Sequence, residues 1–138
     1  MADLSITAAN VSASSTGSTT VQGTAGETIT AGQVVYLQAS SGKYMLADVD
    51  DSEKYKAAGI ALNGASDTQP IDVCTASSDL DIGATLTVGT IYVLSADGAI
   101  SPSADLTTGD YTVIVGVATA TDSLHVSIGA NNRADSTI

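Results

Sequence analysis

Apolar residues in this chain fall in short runs separated by turn residues, and no run keeps helical spacing for a useful length. Strand signals stand at residues 28–30, 34–38, 43–47, 57–62 and 71–74, and again at 86, 91–94, 99–100, 111–118 and 124–128. Ser40-Ser41-Gly42 and Ala96-Asp97-Gly98 are placed to turn hairpins, with further turns at Gly64-Ala65-Ser66-Asp67 and Thr107-Thr108-Gly109-Asp110. Alternation puts Tyr111, Val113, Val115 and Val117 on one face of a strand. It also puts Leu124, Val126 and Ile128 on one face, with His125 and Ser127 on the other. Val34-Val35-Tyr36-Leu37 is apolar on both faces, which predicts burial on two sides: one face meets the core and the other needs a cover.

The pattern occurs twice. Gly26-Glu-Thr-Ile-Thr-Ala-Gly-Gln-Val-Val-Tyr-Leu37 and Gly83-Ala-Thr-Leu-Thr-Val-Gly-Thr-Ile-Tyr-Val-Leu94 lie 57 residues apart, as do Asp48 and Asp105, and Gly59-Ile60-Ala61 and Gly116-Val117-Ala118. A fixed internal period marks a repeated supersecondary unit, and two units close on each other more readily than they form an open solenoid. The expected architecture is all-β, a compact β-barrel or β-sandwich built from two similar halves. Its β domain covers residues 23–130, with repeats at about 23–75 and 80–129. An N-terminal arm at 1–22 and a C-terminal tail at 131–138 flank it.

The arm carries nine Ser or Thr and one charge, Asp3, with apolar residues scattered at Leu4, Ile6, Val11 and Val21. Such a segment buries too little surface to order alone, yet it suits laying on another surface, for instance as a strand added to a sheet edge.

Composition narrows the function. With 138 residues the chain is long enough to bury a core in one domain. That core has no Phe or Trp to use, so Val, Ile, Leu, Ala and five Tyr must supply it. Fifteen acidic against four basic residues give a formal charge of −11, which argues against direct nucleic-acid binding. Self-repulsion of that size means that any assembly must rest on apolar or hydrogen-bonded contacts. No signal-peptide pattern and no membrane-length apolar run is present, so the reading is a soluble chain with no membrane partner.

Chemistry is sparse. Cys74, the sole cysteine, has no cationic sequence neighbour and reads as a small buried hydrophobe. His125, the sole histidine, lacks partners for a metal site, and a pairing with Ser127 or Asp122 would not orient a nucleophile. The run Asp48-Val-Asp50-Asp51-Ser-Glu53 offers four carboxylates to a hard cation but lacks the glycine and distal Glu of an EF-hand loop. No phosphate-cradling loop followed by Lys occurs. The expectation is a protein without enzymatic activity, catalytic residues, metal or cofactor.

The order of motifs carries a resemblance. The Gly26–Leu37 stretch is followed by Gly42-Lys-Tyr-Met-Leu-Ala-Asp48, Ala57-Ala-Gly-Ile-Ala-Leu-Asn-Gly-Ala65, Thr87-Val-Gly-Thr-Ile-Tyr-Val-Leu-Ser95 and Val113-Ile-Val-Gly-Val-Ala-Thr-Ala-Thr-Asp-Ser-Leu-His-Val-Ser-Ile128. Over about residues 24–128 this resembles the small β-rich head decoration, or capsid cement, proteins of tailed bacteriophages. Similar modules occur in phage head fibres. The resemblance implies a non-enzymatic virion protein on the outer capsid surface, bound to the major capsid protein. It also implies a homotrimer at three-fold or quasi-three-fold positions, with a flexible terminus that clamps neighbouring capsid subunits. On that reading Leu4, Ile6 and Val11 of the arm are the candidate capsid contacts. The alternative is a phage-fibre or cell-surface module that binds carbohydrate, against which stands the lack of Trp and Phe for a sugar platform.

Overall fold

The computed structural model describes residues 3–13, 17–105 and 111–134. It is all-β. Among the described residues ten strands form one sheet: β1 (Val11–Ser12), β2 (Ser18–Thr24), β3 (Val34–Leu37), β4 (Tyr44–Leu46), β5 (Ala57–Ala61), β6 (Pro70–Ile82), β7 (Ile91–Leu94), β8 (Ile100–Pro102), β9 (Tyr111–Ala118) and β10 (Ser123–Ala134). The main path runs β4-β3-β5-β6-β10-β9-β7-β8, and β1 and β2 join it on β6. Every strand pairing is antiparallel.

β6 is the spine. β2 lies along it from Pro70 to Ser77, and β1 follows at Asp81 and Ile82. β5 bonds at Val73 and Cys74, and β10 bonds from Ala76 to Asp81. A strand has two edges, so with β2 on one, β5 and β10 share the other in succession. The sheet then curls into a half-barrel. Beyond β4, the Ala47 carbonyl accepts from Gly98 N–H at 2.6 Å, and Val49 N–H donates to the Ser95 carbonyl at 3.3 Å, so the β7–β8 turn closes on the far end of the path. This is one continuous sheet, not two facing ones.

Most of the predicted strands form, with three differences. Residues 28–30 and Leu86 are not strands. Ile29 makes a single bridge to Ala65, and Leu86 N–H donates to the Thr121 carbonyl at 2.7 Å, while both side chains are buried. β6 runs on to Ile82, well past the expected end at Cys74, because Leu80 and Ile82 reach the core and β1, β2 and β10 satisfy the backbone between. Residues 131–134, expected as the start of the C-terminal tail, continue β10 to Ala134, paired to β9. The turn expected at 107–110 lies outside the described residues.

A fourth difference concerns a face. Val113 and Val115 are buried as expected, but Val117 is exposed and Ala118 takes the inward place. The β7–β9 register shifts between Tyr92↔Gly116 and Val93↔Ile114, so β9 carries an extra residue there. A bulge of this kind inverts the facing of everything beyond it. Glycine permits it: a Cβ on Gly116 would overlap the His125 carbonyl.

Two cores result. The larger holds Val34, Tyr36, Ile60, Leu80, Ile82, Leu86, Tyr92, Leu94, Ile100, Val113, Val115, Leu124 and Val126. The smaller holds Ala25, Ile29, Val35, Ala61, Ala65, Ile71 and Val73. The two-faced β3 thus sends Val34 and Tyr36 to one core and Val35 to the other. Its second cover is the chain's own segment around Ala25 and Ile29. Glu27 anchors that segment by accepting from Leu46 N–H at 2.8 Å.

Close strand approach sets a testable limit on two glycines. A Cβ on Gly59 would stand 2.5 Å from the Cys74 carbonyl oxygen, and Gly116 is tighter still, whereas Gly64 has only the Ile29 carbonyl at 3.7 Å. Gly59→Ala and Gly116→Ala should each cost about 1–3 kcal/mol in denaturant unfolding. Gly64→Ala should stay within about 0.5 kcal/mol of the parent.

Candidate functional site

The arm was expected to offer Leu4, Ile6 and Val11 to a partner, and in this structure those side chains meet the chain's own body. Val11 is buried and pairs with Ile82. Leu4 and Ile6 are half-buried and pack against the larger core. The backbone is tied down as well, Leu4 N–H donating to the Ile100 carbonyl at 2.7 Å and Thr7 N–H to the Gly83 carbonyl at 2.8 Å. Ile6 and Val11 sit over the turn before β3: a Cβ on Gly32 would lie 2.6 Å from Ile6 Cγ2 and 3.2 Å from Val11 Cγ2. Further on, β2 adds a strand to β6 across the expected boundary at residue 22. The arm does augment a sheet edge, and the edge belongs to the same molecule.

Between arm and body runs an open groove of about 660 Å³. It is lined by Ser5, Thr7, Asn10 and Ser12 on one bank and Asp81 and Asp122 among others on the opposite bank. The lining is polar and contains no aromatic ring. Asp81 Oδ1 accepts from Gly83 N–H at 3.0 Å, and Asp122 Oδ1 accepts from the Ser123 hydroxyl at 3.3 Å.

The apolar surface lies elsewhere. Ile91 and Val117 are cross-strand partners on β7 and β9, and both are exposed, as is Val88 in the turn before β7. His125 stands opposite Val117 on β10 and extends this row on the solvent side. Sequence reasoning missed the patch because it placed Val117 inward. The signal available was Gly116, an isolated glycine within a strand pattern.

The acidic run forms turns stitched by its own carboxylates. Asp48 Oδ1 accepts from Asp50 N–H at 2.9 Å, and Asp51 Oδ1 accepts from Glu53 N–H at 2.8 Å and Lys54 N–H at 3.1 Å. Those N–H groups, Glu53's first, hold the Asp51 carboxyl below the ordinary carboxylate range. Among the described residues no three His, Cys, Asp or Glu side chains stand together as a metal-binding group. Cys74 is fully buried, its Sγ donating to the Ala76 carbonyl at 3.3 Å. Burial pushes the thiol up from its usual range. Tyr36, Tyr55 and Tyr92 are buried too, and the Tyr92 hydroxyl accepts from Thr87 N–H at 3.0 Å.

No helix among the described residues is long and apolar enough to cross a membrane. No protein-family model matches the chain, and no curated protein matches it.

Two measurements check these assignments. Cys74 should react with a thiol reagent at least tenfold more slowly in the native chain than in denaturant, and equal rates would contradict its burial. For Asp51 the folded-state pKa is lowered, so its contribution to stability is present above the ordinary carboxylate pKa and is lost as pH falls through the lowered value. Asp51→Asn should therefore reduce thermal stability at pH 7 and leave it little changed in strong acid.

Proposed function

We propose that this chain is a non-enzymatic capsid decoration, or cement, protein: a homotrimer that binds the major capsid protein on the outer surface of an assembled phage head and stabilises it. The observation that carries the reading is where the resembling stretches lie. Gly26–Leu37 and Thr87–Ser95 lead into and contain β3 and β7, 42–48 contains β4, 57–65 contains β5, and 113–128 covers most of β9 and the start of β10. The likeness therefore falls on the framework of an all-β body; Cys74 is buried, Asp48 and Asp51 are engaged in their own turns, and His125 stands exposed on β10 with no described partner group for catalysis beside it.

The same framework supports a second part of the proposal, that the body is two copies of one unit. Hydrogen bonds recur at the 57-residue offset. Gly32 N–H donates to the Ala61 carbonyl at 2.8 Å and Gly89 N–H to the Ala118 carbonyl at 2.9 Å. Ala61 N–H donates to the Gln33 carbonyl at 2.9 Å and Ala118 N–H to the Thr90 carbonyl at 3.1 Å. The ladders match as well. Val34↔Ile60, Val35↔Gly59 and, after a bulge, Tyr36↔Ala57 in the first unit correspond to Ile91↔Val117, Tyr92↔Gly116 and, after a bulge, Val93↔Ile114 in the second.

A cement acts by mass action: a molecule that binds only the assembled lattice stabilises that lattice. Several subunits engaging adjacent capsomers turn later contacts into intramolecular ones, so weak individual sites suffice. If Leu4, Ile6 and Val11 contact the shell, the arm lifts from the body when it binds, and the Leu4 and Thr7 amides lose their carbonyl partners.

The test is cosedimentation of the purified chain with empty, expanded heads of the phage that encodes it. Expected are saturable pelleting and a higher temperature of head disruption; a chain that stays in the supernatant at all concentrations would overturn the proposal. The second reading, a carbohydrate-binding module, is favoured by the hydroxyl- and carboxylate-lined groove between arm and body. It predicts hits on a glycan array that Asp81→Asn and Asp122→Asn weaken.

A further inference from the structure

We propose that Asn63 is a modification site gated by the fold: its side-chain amide latches the loop from Asn63 to Asp72 over the smaller core, and the same latch keeps that amide from a spontaneous deamidation to which the unfolded chain is open. Asn63-Gly64 is the only Asn-Gly pair in the sequence. Glycine has no side chain to screen its nitrogen or restrict its backbone, so in a free chain that nitrogen reaches the preceding side-chain carbon most readily here. Asn10, Asn131 and Asn132 precede Val, Asn and Arg.

The chemistry needs only water. Gly64 N attacks Asn63 Cγ and a bond forms between them, while the Gly64 proton passes to the departing Nδ2. The Cγ–Nδ2 bond breaks and ammonia leaves. Water then opens the five-membered imide at either carbonyl, giving aspartate or isoaspartate and one new negative charge. Nothing is oxidised or reduced.

The native loop opposes each step. Asn63 Oδ1 accepts from Asp72 N–H at 2.7 Å, and Nδ2 donates to the Gly64 carbonyl at 3.1 Å and to the Pro70 carbonyl at 3.3 Å. An N–H thus meets the amide oxygen and two carbonyls meet the nitrogen, which suits an amide and no other acid-derived group. The reaction must pull Nδ2 from between those carbonyls while Asp72 N–H holds Oδ1 in place. Leu62 N–H, donating to the Asp72 carbonyl at 2.8 Å, closes the base of the same loop.

What the latch holds is the cover of the smaller core. Ala65 N–H donates to the Ile29 carbonyl at 2.9 Å and Ile29 N–H to the Ala65 carbonyl at 2.8 Å, while Thr68 N–H donates to the Ala25 carbonyl at 2.8 Å. Ala25, Ile29 and Ala65 all belong to that core. Thr68 has a φ of 72°, a conformation that a β-branched residue keeps only when its surroundings enforce it. A carboxylate at position 63 offers no donor to the Gly64 and Pro70 carbonyls and sets a charge against them. A chain that has once unfolded and deamidated therefore refolds with this loop unlatched.

Peptide mapping by mass spectrometry, on the full chain held in mildly alkaline buffer with and without urea, tests the gate. Conversion at Asn63 should be at least about tenfold slower without urea, because the loop must open and lose these hydrogen bonds first. In urea Asn63 should convert before the other three asparagines, and Gly64→Ala should slow it. Equal rates in the two buffers would overturn the gate, and earlier conversion at another asparagine would overturn the site. Hydrogen exchange tests the latch: in Asn63→Asp the Ile29 and Ala65 amides should exchange at least about tenfold faster, with the amides between β9 and β10 unchanged. Unchanged exchange at Ile29 and Ala65 would overturn it. Should Asn63→Asp fail to fold, Asn63→Ala, which removes the bonds without adding charge, takes the same measurement with the same two outcomes.

Discussion

β6 holds the molecule together. Four other strands hydrogen-bond to it, and its side chains enter both cores, Ile71 and Val73 the smaller one and Leu80 and Ile82 the larger. A backbone amide buried without a partner is costly, so a strand this long in the middle of a fold requires partners along both edges. β2 and β1 supply one edge, and β5 followed by β10 supplies the other. That arrangement knits the N-terminal segment into the sheet and brings the two runs of strands side by side.

The absence of Phe and Trp is met by close approach rather than by bulk. Gly59 and Gly116 let neighbouring strands come nearer than any side chain would allow, and small residues such as Ala25, Ala61 and Ala118 fill the narrow space that results. Interiors are packed at crystal-like density, so a core of Val, Ile and Leu needs this thinness to avoid voids. The same glycines mark the bulges, and one of them turns Val117 out to solvent. An economy of packing inside therefore has an outward consequence: an apolar row on the surface of a strongly acidic chain.

Several of the charges order turns. Asp48 and Asp51 cap their own loop, and Lys43 reaches Asp67 at 3.3 Å across the surface, a pair exposed enough to contribute little. Carboxylates engaged with backbone N–H groups order loops without building a reactive centre. What the surface offers a partner is accordingly an uncharged apolar row and a polar groove beside the arm.

The all-β class and most of the strands were legible in the sequence, because period-two alternation and turn residues are local signals that each strand carries in itself. The two-faced burial of β3 was legible for the same reason. The 57-residue recurrence of motifs is a property of residue identity alone. Three features were decided only by the tertiary structure. The length of β6 depends on partners from distant segments, and Ser77, Ser78 and Asp79 give no strand signal of their own. The inversion at Val117 depends on a bulge that alternation does not record. The place of Leu4, Ile6 and Val11 was hidden because an apolar side chain in a polar segment specifies only that it will be covered; whether the cover is the chain's own turn at Gly32 is settled by where the backbone brings that turn.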